Sequence, residues 1–301
     1  MTDREMTRTM APLFTSPVSL DTFRRHGDDM IDRWDGRRFA RAIDTGDAVK
    51  AVQIDVGAEP GPTTWTVTAS GNPFDIEDVV RRQFIVGDAA GTRWVDTCPE
   101  VTAKVPREII DSAAVVRSTS LFQSVVRCVT AQQVNLEFAS VLRQRLATRL
   151  GIYHFVGDTG AYWLDIDTAL GTSGEELRKM QLSGMKARCI LATARAIADG
   201  DLESQTLAGF DDVELRHRLT SIPGIGRWTA DWVMIRWFDR PLVAAGDLGV
   251  RKAIRWLHDL PEMPTERTVR ELTAHWGEDA AVIQAAVMEA FNRRLPTGRP
   301  R

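Results

Sequence analysis

The chain has 301 residues, 44% of them hydrophobic, with 38 Lys and Arg against 41 Asp and Glu and a formal net charge of -3. That length and apolar content suit two ordinary domains with real cores and exclude a disordered chain. The near-balanced charge excludes a protein that coats nucleic acid indiscriminately.

No run of about eighteen apolar residues occurs, and the N-terminus MTDREMTRTM lacks the apolar core of a secretory signal, so a soluble cytoplasmic protein with no membrane partner is expected. Cys98, Cys128 and Cys189 stand far apart, and the five histidines form no HExxH unit. Neither a disulfide framework nor a zinc or iron-sulfur site is expected, and no cofactor is implied.

The first hundred residues carry 12 Lys/Arg against 17 Asp/Glu, the remainder 26 against 24. A polar tail over 1–16 leads into a mixed region over 17–105. There Val52, Ile54 and Val56 alternate with Gln53 and Asp55, and Trp65, Val67 and Ala69 alternate with threonines. That period of two, broken by GAEPGP, predicts an antiparallel hairpin. Asp75 is placed to cap a helix with Ile76, Val79, Val80 and Phe84 on its apolar face.

From Pro106 the strand signals fade, predicting an all-α region over 106–295 and a polar tail over 296–301. Leu121, Val125, Cys128, Val129 and Gln132 share one helical face, and Phe138, Val141, Leu142, Leu146 and Leu150 another. Gly151 to Gly174 is expected to be a connection. Helical patterns follow over Leu177 to Leu182 and over Ser183 to Ile197, with Ser183 as N-cap. The fold class is therefore α+β: a small antiparallel sheet with helices, then a helical bundle.

Asp211 and Glu214 have capping-box spacing ahead of the stripe Leu215, Leu219 and Ile222. That helix must stop at Pro223 and Gly224, and a second begins near Arg227 or Trp228 with Ala230, Val233 and Trp237 facing inward. The amides of Ile225, Gly226 and Arg227 then have no intrahelical acceptor, which suits one phosphate. Gly-containing turns also join helices in proteins that bind no nucleic acid. Six bases against three acids within Ser221 to Leu257 give this segment a local positive surface.

IPGIGRWTADWV followed by AAGDLGVRKAI resembles the helix-hairpin-helix, Gly/Pro-rich loop and aspartate of the HhH-GPD superfamily of DNA base-excision glycosylases, most of all its AlkA-type 3-methyladenine DNA glycosylase II family. The likeness covers about residues 17 to 290 and is weak before Leu121. It implies a monofunctional glycosylase acting on damaged, alkylated bases in double-stranded DNA, working as a monomer. Asp247 matches the catalytic aspartate; it is also a natural N-cap for the helix that follows, and the two roles are compatible.

Trp228 and Trp232, four residues apart on one helix face, match pocket aromatics suited to electron-poor alkylated purines, and Met288 stands near a further pocket position. Ile222, Gly224, Ile225, Gly226, Arg227 and Thr229 form the expected DNA clamp. Gln133 matches the wedge that fills the gap left by a flipped base, although that residue is apolar in the best-known members. The resemblance implies no metal beyond a monovalent cation at the hairpin's backbone carbonyls.

Bifunctional members carry a lysine two residues after the hairpin's last glycine; this chain has Trp228 there, so no lyase chemistry is expected. The C-terminal Trp-x-Pro-Trp-Arg-Ser motif is reduced to Trp276 within HWGEDAAVIQAAVMEAF. That departure leaves open a glycosylase for an oxidised or deaminated purine, or a catalytically silent binder of damaged DNA.

Overall fold

The structure, a computed structural model, describes residues 5–13, 17–46, 48–56, 65–69, 76–86 and 93–294. The GAEPGP turn, the Asp75 cap, residues 1–4 and 14–16 of the expected N-terminal tail and all of the C-terminal one lie outside these residues; within the expected N-terminal tail, Met6–Met10 is a strand instead.

Five antiparallel strands form the N-terminal sheet: β1 (Met6–Met10), β2 (Asp32–Trp34), β3 (Arg38–Asp44), β4 (Val49–Asp55) and β5 (Trp65–Ala69), in the order β1-β5-β4-β3-β2. The predicted pairing is present, with Val52 opposite Ala69 and Ile54 opposite Val67. These four residues are buried on the core face, the direct consequence of period-two alternation.

β6 (Phe84–Val86) pairs with β7 (Ala114–Val116). Ala114 and Val116 join the core under the sheet. Between these strands the chain packs the other way: Trp94, Cys98, Val101, Val105, Ile109 and Ile110 enter a core built with the C-terminal helices. The boundary expected at 105 falls inside this segment.

The helices that carry the site are α1 (Leu121–Ala131), α2 (Leu136–Leu150), α3 (Gly184–Ala198), α4 (Asp212–Thr220), α5 (Arg227–Arg236), α6 (Leu248–Leu257) and α7 (Ala280–Arg294). Most begin where a side-chain oxygen replaces the missing backbone acceptor: Ser120, Asn135, Ser183, Asp211 and Asp247 cap α1, α2, α3, α4 and α6, and Asp211 with Glu214 closes the expected capping box. α5 has no side-chain cap. On α2 the buried stripe is Leu142, Leu146 and Leu150 with Ala139 and Ala147, whereas Val141 points outward.

The stretch read as a connection after Gly151 contains a hairpin of β8 (Gly151–Val156) and β9 (Thr159–Leu164), packed against β3 and β4. Its alternation is blurred because residues on both faces of β8 are only partly covered. The C-terminal region is thus mostly helical, with one two-stranded interruption.

Two helical cores result. One joins α1 to α5; the other joins the 94–113 segment, α6 and α7. Trp232 and Leu242 pack against both cores, so the seam between them runs along α5.

Sheet and helices are locked together by buried charge. Arg41 of β3 pairs with Asp32 of β2 and hydrogen-bonds Gln83 (3.1 Å). Arg127 of α1 pairs with Asp32 and with Asp29 (3.3 Å), and Arg143 of α2 with Asp29 (2.7 Å).

Candidate active site

The hairpin between α4 and α5 is closed by Ile225 donating its amide to the Ile222 carbonyl (3.0 Å). Gly224 adopts φ +92°, and an added Cβ would lie 2.8 Å from the Cβ of Cys189 on α3, so both backbone and packing demand glycine. Gly226 is different: its φ is -88° and an added Cβ would meet nothing within 4 Å. The fold does not need glycine at 226, and its bare backbone leaves the uncapped start of α5 open.

The expected clamp is therefore narrower than the sequence suggested. The Ile225 amide is already used within the turn, and Thr229 is buried with its hydroxyl accepting from Gln132 (2.9 Å). Ile222 is partly covered, while Gly226 and Arg227 are exposed. The carbonyls of Ile222 and Gly224 both accept hydrogen bonds within the chain, the latter from Gln132 (3.1 Å).

Gln132 straps the hairpin to the end of α1, a role its place on a helical stripe did not reveal. Its neighbour Gln133 is exposed and holds φ +55°, the left-handed region that non-glycine residues avoid. Met30, Gln181, Asp239 and Asp259 hold the same region elsewhere in the chain; Gln133 is the one of the five that directly follows the Gln132 strap to the hairpin.

Asp247 lies in the seam and is engaged on both oxygens. Oδ1 accepts from the Val250 amide (3.0 Å) and caps α6. Oδ2 accepts from the indole N–H of Trp228 (2.7 Å) and of Trp232 (3.2 Å). The tryptophans thus present their polar edges to the carboxylate, where sequence reasoning assigned them only as walls. A carboxylate has about four acceptor sites, so three bonds hold it in place and leave room for one more partner. Leu248, the next residue, is 55% exposed.

A cavity of about 110 Å³ adjoins this cluster, lined by Trp232, Arg236, Gln284, Met288, Glu289 and Arg25 among others. Met288 reaches towards Asp247: a Cβ at Gly249 would sit 2.9 Å from Asp247 Oδ1 and 3.4 Å from Met288 Cε. The Arg236 guanidinium lies 5.2 Å from the centre of the Trp232 ring and covers one of its faces. Burial, with repulsion from Arg127, pulls its pKa down to about 10. Gln284 holds the Ala244 amide with its oxygen (2.7 Å), which leaves its NH2 as a donor for whatever enters.

Trp228 does not line this cavity, and Trp276 is buried elsewhere. A larger cavity of about 330 Å³, lined by Arg41, Arg82, Arg117 and Trp237 among others, touches neither Asp247 nor its indoles. The smaller one shares Trp232 with the cluster, while Asp247 itself lines neither.

The family model described as HhH-GPD superfamily base excision DNA repair protein matches residues 126–278, half of the chain and all of the hairpin and Asp247 segments. The chain belongs to this superfamily. Its similarity to a protein named putative DNA-3-methyladenine glycosylase YfjP of Bacillus subtilis is 28% identity over 160 residues, 52% of this chain and 54% of that protein. The matched stretch spans little more than half the length of the Bacillus relatives.

A 3-methyladenine DNA glycosylase from Archaeoglobus fulgidus superposes with a TM-score of 0.77 at 22% identity, covering 95% of this chain and 97% of that one. An 8-oxoguanine glycosylase/lyase of Clostridium acetobutylicum, bound to double-stranded DNA, gives 0.71 at 13% identity, covering 97% and 98%. The fold shared with these two structures thus extends over nearly the whole chain. No helix among the described residues is long and apolar enough to cross a membrane.

Proposed function

We propose that this protein is a monofunctional DNA glycosylase that flips damaged, alkylated bases out of duplex DNA and hydrolyses their N-glycosidic bonds. The observation that carries the reading is the Asp247 carboxylate, fixed by two indole N–H groups and a helix cap, with one of those indoles, Trp232, also lining a cavity at the seam. As the bond between C1′ and the base nitrogen breaks, its electron pair leaves with the base and positive charge builds on the sugar. A fixed carboxylate stabilises that charge without reorganising, and water then bonds to C1′ and releases a proton. Asp247, with three acceptor sites filled, acts first as an electrostatic partner and uses its remaining site to orient the water.

The uncapped start of α5, open at Gly226, takes a backbone phosphate, with Arg227 beside it. Gly226→Asp should therefore cap α5 internally, raising stability by only about 0.3 kcal/mol, while weakening duplex binding by more than tenfold. Denaturant unfolding and DNA titration check the two halves. Gln133 acts as the wedge. Gln133→Gly is expected to relieve about 1 kcal/mol of backbone strain yet slow base release at least tenfold. A change that stabilises without slowing release would remove Gln133 from the mechanism.

Trp228 occupies the position of the lyase lysine, which supports hydrolysis without strand cleavage. One observation favours a second lesion class. Arg236 and Gln284 make the cavity rich in donors, a setting that suits a neutral purine with a carbonyl edge as well as a cationic alkylated one. Duplexes carrying a methylated, an oxidised or a deaminated purine decide between the two: fastest release from the methylated duplex supports the alkylation reading, and release confined to the others transfers the same Asp247 chemistry to them.

A further inference from the structure

At the end of α6 opposite Asp247, three chain segments bring together residues that the glycosylase chemistry does not use. Cys98 precedes the short helix Pro99–Thr102, which carries Glu100. His275 stands in the 3-10 turn Ala274–Asp279, and His258 is the C-cap of α6. The Cys98 thiol, a Glu100 oxygen and a His275 ring nitrogen all lie within 4.8 Å of one another, the one such group of three among the described residues. We propose that Cys98, Glu100 and His275 bind one divalent transition-metal ion of the zinc class, with His258 completing the set.

The donor types are those of zinc sites: one thiolate, imidazoles and one carboxylate, drawn from segments that the sequence holds 177 residues apart at most. His275 Nε2 already sits 3.0 Å from Glu100 Oε1. The Trp276 indole donates to that same oxygen (3.2 Å), fixing the carboxylate and leaving Oε2 for the ion. His258 lies outside that group of three, near the charges of Glu100 and His275; its buried Nε2 has no hydrogen-bond partner, and its ring must move in to become a fourth ligand.

Metal-ligand bonds of about 2.0 to 2.3 Å place donors roughly 3.5 Å apart, so the group must close by about 1 Å. The His275 side chain, 45% exposed, is free to turn that far. Binding displaces the thiol proton to solvent as the metal–sulfur bond forms.

Such an ion would staple the 94–102 segment to the C-terminal turn and to the end of α6. That helix is about 15 Å long and carries Asp247 at its other end. The inference does not depend on the glycosylase reading.

The test is titration of the untagged, chelator-stripped chain with Co2+ and then Zn2+. One equivalent of Co2+ should bind with a thiolate-to-metal charge-transfer band, Zn2+ should displace it, and Zn2+ should raise the unfolding temperature. Cys98→Ser should lose the band, and His275→Ala should weaken Zn2+ binding at least tenfold. Because Cys98 is fully buried and its replacement can unfold the chain, the exposed His275→Ala variant reads the affinity independently. A wild-type chain with no charge-transfer band, or a His275→Ala variant that binds as tightly as wild type, would overturn the proposal.

Discussion

Asp247→Asn is expected to slow base release from lesion-bearing duplex by roughly 10³-fold while leaving affinity for that duplex within about twofold. The charge that stabilises the sugar cation is lost, but the hairpin, Arg227 and Gln133 still hold the DNA. The geometry adds a second, separable consequence. Oδ1 caps α6 and Oδ2 receives two indole N–H groups, so the site requires an acceptor at both positions. Asparagine supplies one acceptor and one donor. It can cap α6 only by turning its NH2 toward the tryptophan N–H groups, which leaves two part-buried donors unsatisfied and costs about 1 kcal/mol. Single-turnover release, DNA titration and denaturant unfolding, run on the same variant, separate loss of charge from loss of fit. Equal release by variant and wild type would remove Asp247 from the chemistry.

The largest expected effect on stability is at Asp29, far from the reaction. Asp29→Asn should destabilise the fold by about 3–5 kcal/mol, because it removes the charge that compensates Arg127 and Arg143 between sheet and helices. Oδ1 also accepts from the amides of Ile31 and Asp32 at 3.1 Å each, so asparagine can preserve the turn while losing the ion pairs. Burial by itself would raise the Asp29 carboxyl, yet Arg127 and Arg143 outweigh it and hold the group below its ordinary 3.8.

A depressed folded-state pKa stabilises above the unfolded value and loses that contribution as pH falls through the folded one. Wild-type stability should therefore decline below about pH 4, and the variant should show a flatter acid limb. Urea unfolding across that range checks the sign. A variant whose acid limb matches wild type would mean that other carboxylates govern it.

The legible parts of this molecule are the local ones. Capping spacing at Asp211 and Ser183, glycines at 224 and 226, and the apolar stripes of α1 and α4 are set by neighbours within a turn or two, so residue order alone predicts them. The Asp247 cap was equally readable. What the sequence hid depends on which edge of a side chain meets another element. Trp228 and Trp232 were placed on one face correctly, but nothing in their spacing says that their N–H edges would converge on one carboxylate oxygen. Gln132 and Gln133 are chemically identical neighbours; only the left-handed backbone at Gln133 turns one inward as a strap and the other outward. Arg236 reads as one more surface base until α5 is seen to run along the seam. The Cys98, Glu100 and His275 group is invisible in the sequence because His275 stands 175 residues beyond Glu100 and no spacing links it to the other two.

The most direct measurement is the state of the DNA strand after reaction. A duplex with one methylated purine, incubated with excess protein, should yield free base and a strand that stays intact until alkali cleaves the abasic site, with Asp247→Asn yielding neither. Strand cleavage before alkali, or a stable complex with no released base, would contradict hydrolysis centred on Asp247.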